Sequence, residues 1–307
     1  MMEHMKTQRF GVEIEMTGIS RGRAAELVAE VLSSTVSGPN STCYHTRQIV
    51  DHRGRTWQVM RDSSINPQPR YDDELRVEFV TPPLDYDDVE LLQNIVRKLR
   101  ENGAIANKSC GIHIHVDGAN HTPASIRRLL NFFTARQDLI YEALSIGERA
   151  FHWCHKISPA LNNEVQHRKD ISYDTLEGLW YSPYNDDYCG GISREHYNST
   201  RYHGINLHAF FTKGTIEFRL FNGTLHAGRI KAYIQFCLAM SAWAIDSSDK
   251  MSFRSTEGYT AAQKAQIMES VLTNRLGLRG DEFKTCRYFL LKNFKDEAGI
   301  PYRHNVA

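Results

Sequence analysis

Carboxylates recur in this chain at a spacing that suits metal chemistry. In Phe10-Gly-Val-Glu-Ile-Glu-Met16 the two glutamates, Glu13 and Glu15, are two residues apart. Residues two apart share a face of a β-strand, so both carboxylates project together while Val12, Ile14 and Met16 line the other side. Like charges side by side repel unless a cation lies between them. A hard divalent ion meets that need, because carboxylate oxygens are its preferred ligands. The same alternation groups Arg76 with Glu78, His113 with His115 and Asp117, Asn206 with His208, and Glu217 with Arg219. An exposed antiparallel strand also alternates, but its polar face ordinarily favours threonine and mixed polar residues. Each motif is weak alone. Their recurrence in one chain points to a polar sheet face built to hold metal ions and to stabilise anionic charge.

Positioning those side chains requires strands, and the patterning predicts them over residues 10–16, 55–61, 73–81, 111–117, 204–211 and 214–222. Pro82-Pro83 stops the third, and Thr212-Lys213-Gly214 reads as a tight turn that joins the last two as a hairpin. Helical spacing covers 20–34 with Ser20 as a cap, 87–102 ended by Gly103, and 122–145 with Pro123 in its first turn. Further helices are expected over 227–245, 261–276 and 281–294. Residues 148–203 show little periodicity and are expected to form a loop-rich insertion, and 225–307 a helical C-terminal part. The pattern suits one α+β domain spanning 1–307, with a largely antiparallel sheet of about five or six strands backed by helices.

Composition narrows the function classes. The net charge of +1 gives no global field to attract nucleic acid or an acidic membrane. The cluster from Arg275 to Arg287 contains Asp281 and Glu282, so it reads as a solvated helix face. No apolar run approaches the roughly 18 residues needed to cross a bilayer. The polar N-terminal stretch lacks the apolar core of a secretory signal, and the expectation is a soluble, cytoplasmic protein. The six cysteines are scattered without a C-x-x-C pair, which argues for reduced, mostly packed thiols. His152-Trp-Cys-His155 with Cys189 lacks the second close ligand pair of a structural zinc site. Cys110 beside His113 would make a nucleophilic pair, but it precedes an apolar strand and reads as a packed thiol. Glycine-rich phosphate loops are absent.

Four segments taken in order, Phe10-Gly-Val-Glu-Ile-Glu-Met16, Glu74-Leu-Arg-Val-Glu-Phe-Val-Thr-Pro-Pro83, Cys110-Gly-Ile-His-Ile-His-Val-Asp117 and Thr215-Ile-Glu-Phe-Arg-Leu-Phe-Asn-Gly-Thr224, resemble the amidoligase family. That family is a branch of the carboxylate-amine ligases that includes glutamine synthetase and γ-glutamylcysteine ligase. The likeness runs from Arg9 to Trp243, with a gap over the unpatterned middle. It implies a glutamine-synthetase-like catalytic domain whose concave sheet holds ATP and Mg²⁺ or Mn²⁺. By that likeness Glu13, Glu15 and Glu78 are metal carboxylates, His113 or His115 is the metal-binding imidazole, and Glu217 serves the nucleotide-bound ion. Arg219 resembles the arginine on the transferring phosphate, Arg201 a second phosphate-side arginine, and Asn206 a polar residue facing the site. Asp62, in Asp62-Ser-Ser-Ile65, resembles an acidic turn that would supply a general base; a turn-capping role suits it equally.

The implied reaction suits these residue types. A carboxylate is a poor electrophile, and phosphorylation by ATP converts it to an acyl phosphate that an amine can attack. Metals and arginines supply the charge stabilisation. Expected partners are small-molecule or peptide carboxylates and amines, with no nucleic acid and no membrane. A non-catalytic nucleotide-binding protein of the same fold and a metal-dependent phosphotransferase are the alternatives. Trp153, Trp180, Tyr181, Tyr184 and Tyr188 in the middle segment either line a substrate pocket or fill a satellite core.

Overall fold

Alternating apolar and polar side chains produce strands, and the computed structural model, which describes residues 2–168, 170–248, 252 and 255–302, contains eight of them. They are β1 (Phe10–Met16), β2 (Val36–Ser37), β3 (Arg47–Val50), β4 (Thr56–Met60), β5 (Val77–Val80), β6 (Gly111–Asp117), β7 (Ile205–Asn206) and β8 (Thr215–Asn222). They form an open antiparallel sheet in the order β2-β3-β4-β5-β1-β6-β8-β7. With helices making up most of the remaining regular structure, the fold is α+β.

The chain divides into two compact units. One comprises Arg9–His115 and Phe221–Ile234. Here the apolar residues of β1, Val12, Ile14 and Met16, are buried, and Trp57 of β4 stacks on Phe79 of β5 with centroids 5.9 Å apart. The Arg21–Leu32 helix starts where the Ser20 side chain accepts from the Arg23 amide, and it packs on β3 and β4. It also packs against the Val89–Glu101 helix, whose Leu92, Ile95, Val96 and Leu99 form one fully buried stripe. The other unit comprises Met1–Gln8, Val116–Leu220 and Gln235–Ala307. Its Pro123–Ala143 helix opens on a Thr122–Ser125 capping box and packs against the Lys284–Glu297 helix, which in turn covers the Ala261–Ser270 helix.

Several expectations are corrected. Residues 204–211 do not form one strand: β7 stops at Asn206 and His208–Lys213 is a helix. Gly214, at φ 73°, is the left-handed cap of that helix rather than a hairpin residue, and Thr212 donates its hydroxyl back to the His208 carbonyl. A short apolar run fits either period, and the glycine cap decided it. The expected 73–81 strand begins only at Val77, because the Asp72 side chain accepts from the Glu74 amide and caps a turn of 3₁₀-helix over Asp73–Leu75. Arg76 therefore lies outside β5, where its guanidinium donates to the Ser63 carbonyl. The short β2 and β3 strands raise the count above the expected five or six. The loop-rich 148–203 segment contains helices at Pro159–His167 and Tyr173–Trp180. The 261–276 helix ends in a wide π turn over Val271–Arg275. Within the expected insertion residue 169, and within the C-terminal part residues 249–251, 253, 254 and 303–307, lie outside the described residues.

One buried ion pair ties the β3–β4 turn to the first turn of the Val89–Glu101 helix. Asp51, 5% exposed, accepts from the Arg53 and Arg55 amides, from Arg55 Nε at 2.8 Å and from Trp57 Nε1 at 3.0 Å. Arg55 in turn reaches Asp88 at 2.6 Å. Burial pushes the Asp51 carboxyl up, but the bonds from Trp57 and Arg55 outweigh it and hold the pKa at about 2, against 3.8 ordinarily. A depressed carboxyl stabilises the fold above its unfolded pKa and loses that contribution as pH falls through the folded value. The difference corresponds to about 2 kcal/mol. Urea unfolding of Asp51→Asn should show about that loss at neutral pH and a flatter dependence than the wild type between pH 4 and pH 2.

Candidate functional site

In the first unit, β1 and β5 pair so that Glu15 sits directly opposite Glu78 and Glu13 opposite Val80. Directly opposed like charges destabilise a strand pair. Two ionised carboxylates about 5 Å apart repel by about 3 kcal/mol at an effective dielectric constant of about 20. Glu15 is 4% exposed, so water cannot screen it well. β6 brings His113, equally buried, to the same place. One ligand atom from each of Glu15, Glu78 and His113 lies within 4.8 Å of the others. Ligands at about 2.0–2.6 Å from a shared cation stand at most about twice that distance apart, so the three can close on one ion.

Hydrogen bonds orient the cluster. His113 Nδ1 lies 2.9 Å from Glu13 Oε2, and His115 Nε2 lies 3.1 Å from Glu13 Oε1. Burial alone would raise the Glu13 pKa, but His115 and His113 outweigh it and hold the carboxyl well below the usual range. Glu13 is therefore an anion that fixes two imidazoles. With Nδ1 of His113 turned to Glu13, its Nε2 lies on the Glu15 side, 3.7 Å from Oε1. This is the carboxylate–histidine arrangement that orients a ligating imidazole. Glu15 Oε2 accepts from the Gly111 amide at 2.6 Å. Of the two histidines left open by sequence, the structure brings His113 to the carboxylate pair and turns His115 to Glu13. Two carboxylates and one imidazole suit Mn²⁺, and Mg²⁺ with water completing its shell.

The second unit carries Asn206, Glu217 and Arg219. β7 and β8 pair Asn206 with Glu217. Asn206 Nδ2 donates to Glu217 Oε2 at 2.7 Å, and Arg219 donates to Oε1 at 2.5 Å. All three are almost fully buried, and the Arg219 guanidinium lies 5.7 Å from the Tyr202 ring. A cavity of about 230 Å³ opens beside them, lined among others by Arg194, His196, Arg201, His208 and Lys213. Arg194, His196 and Lys213 belong to none of the motifs read from sequence, and His208, expected on a strand, opens the His208–Lys213 helix. Their one signal was the density of basic residues between 194 and 213, which the weak periodicity there concealed.

The remaining candidates have local partners. Asp62 accepts from the Ser64 amide at 2.7 Å, an Asx turn. Asp117 caps its own turn through the Ala119 amide. Trp180 and Tyr181 are buried, whereas Trp153 and Tyr184 are exposed, and none of these nor Tyr188 lines the cavity. Cys110 is a buried thiol directed at Asn107 Oδ1. Cys154 is buried, Cys189 is exposed, and burial raises the Cys154 pKa to about 11. Neither belongs to a metal-compatible group among the described residues.

A family model described as "putative amidoligase enzyme" matches residues 6–241. The chain belongs to the amidoligase family. The match spans every strand of the sheet and both polar clusters, and the family name indicates an enzyme of ligase type. Comparison with curated proteins gives no match. Among the described residues of this amidoligase-family chain, no helix is long and apolar enough to cross a membrane.

Mn²⁺ titrated into the full chain should raise its Tm and be taken up with loss of the free-ion paramagnetic resonance signal. Glu15→Gln and Glu78→Gln should each weaken that uptake by roughly tenfold or more, since each removes a ligand and its charge. Asp62→Asn should leave it unchanged.

Proposed function

We propose that this protein is an ATP-dependent carboxylate-amine ligase with a glutamine-synthetase-like catalytic domain, forming an amide through an acyl phosphate. The observation that carries the reading is the facing pair Glu15 and Glu78 with His113 beside them, in a chain of the amidoligase family. Binding a structural ion needs no such family context, and family membership without metal ligands would suit a protein that had lost activity.

Glu13, Glu15, Glu78 and His113 would hold Mg²⁺ or Mn²⁺, with Glu217 serving the nucleotide-bound ion. Such ions neutralise the phosphate oxygens and lower the barrier to phosphoryl transfer. Glu13 keeps His113 and His115 in place. Glu217, itself held by Asn206, positions the Arg219 guanidinium, which donates to the transferring phosphoryl group as its charge builds. The substrate carboxylate oxygen attacks the γ-phosphorus and ADP leaves. The amine nitrogen then attacks the acyl carbon, the phosphate departs, and a base takes the ammonium proton. Asp62 is the candidate base that the family resemblance supplies.

The full chain incubated with ATP, Mg²⁺ and pooled amino acids and amines should release phosphate. Mass spectrometry should show a product lighter by one water than its two substrates combined. Arg219→Gln should slow release by about 10²–10³-fold. A stable phosphorylated product would favour a phosphotransferase, and Mg²⁺-dependent ATP binding without turnover a non-catalytic protein. Absence of ATP binding would overturn the reading.

A further inference from the structure

The cavity in the second unit carries positive charge that its own walls leave unmatched. Arg194 is neutralised by Glu177, which accepts from its Nε and NH2 at 2.8 and 2.9 Å. Glu217 is matched by Arg219 and Asn206. That leaves Arg201 and Lys213, neither of which has a carboxylate partner among the described residues. Arg201 is nevertheless held. Its NH1 donates to the His196 carbonyl at 2.9 Å, and its guanidinium lies 5.7 and 5.8 Å from the rings of Tyr197 and Tyr202. Half-buried and oriented, its remaining N–H groups form a fork suited to a carboxylate. His208, on another wall, is bonded through Nδ1 to the buried Tyr181 hydroxyl. Burial and then Arg201 push its pKa below the usual value, so it adds hydrogen-bonding capacity without charge.

Size restricts the occupant. About 230 Å³ lies below the about 300–1,000 Å³ typical of drug-sized ligands, so the cavity takes a small molecule or one end of a larger one rather than a whole nucleotide. A space of that size admits one small anionic group rather than a triphosphate chain, and the Arg201 fork matches the two oxygens of a carboxylate. We infer that Arg201 and Lys213 form a recognition site for a non-reacting carboxylate of the substrate, so that the ligase selects an amino-acid-like or dicarboxylic acid over an uncharged analogue. This rests on the ligase reading, and it moves Arg201 from the phosphate-side role that resemblance implied to substrate selection. Arg194, His196 and Arg201 all come from the weakly periodic 148–203 segment. Acid specificity therefore resides largely in that segment.

Isothermal titration of the full chain with L-amino acids, short dicarboxylic acids, inorganic phosphate and Mg²⁺-ATP tests this. At least one acid should bind, and its carboxamide analogue should bind at least tenfold more weakly. Arg201→Gln and Lys213→Met should each weaken the acid by tenfold or more while changing Mg²⁺-ATP affinity by less than twofold. Arg201→Lys, which keeps the charge but not the fork, should recover part of the loss. Circular dichroism and Tm establish that each variant is folded, and Lys213 is exposed enough to be replaced without disturbing the core. If the substitutions weaken phosphate or ATP as much as the acid, the cavity is a phosphate site and the inference falls. It also falls if no acid binds or none is affected. Failure of the ligase reading is separable: acid binding would persist with its Arg201 and Lys213 dependence, while ATP would neither bind nor be consumed.

Discussion

Glu15 and Glu78 face each other across an antiparallel strand pair, where side chains approach most closely. Neither can leave that position cheaply, because a one-residue slip would turn Val12, Ile14 and Met16 out of the core. The hydrophobic register thus forces two carboxylates together, and the local chemistry has to accommodate them. His113 on the neighbouring strand, held by Glu13, and the Gly111 amide on Glu15 are the accommodations the structure shows. The core supplies the strand geometry that keeps Glu15, Glu78 and His113 within reach of one another.

The cluster around Glu217 follows a different logic. Its carboxylate accepts from both Asn206 and Arg219, and so fixes the position of the guanidinium. A buried pair of this kind is weak evidence for stability, since desolvation offsets much of the attraction. What the pair does is hold the Arg219 guanidinium at a fixed place. Arg201 is prepared in another way, by a carbonyl and two aromatic rings, and so keeps its charge available. The two arginines differ in what surrounds them, which supports different assignments for them.

The segment between the Pro123–Ala143 helix and β7 illustrates how a stretch without periodicity can still be built. Trp180 is buried and donates to Thr200, Glu177 clamps Arg194, and Tyr181 reaches His208. These contacts join residues far apart along the segment, so no short window reveals them. The aromatics serve mainly as packing, and the basic side chains between them line the cavity.

Much of the fold was legible in sequence because strand and helix periods are local properties. β1, β6 and β8, the Ser20 cap, Pro123 in the first turn of its helix and the long helices all follow from spacing and capping residues within a few positions. The shared faces of Glu13 and Glu15, and of His113 and His115, were likewise readable. The two-residue strands, the helix over His208–Lys213 and the shortened β5 were not, since each depends on a cap or partner that overrides a short ambiguous pattern. Sequence alone determined which residues could act as ligands. Tertiary structure alone decided that Glu15 meets Glu78, that His113 rather than His115 joins them, and that Arg194, Arg201 and Lys213 surround one cavity. The reason is that strand register and loop closure bring together residues whose separation along the chain carries no local signal.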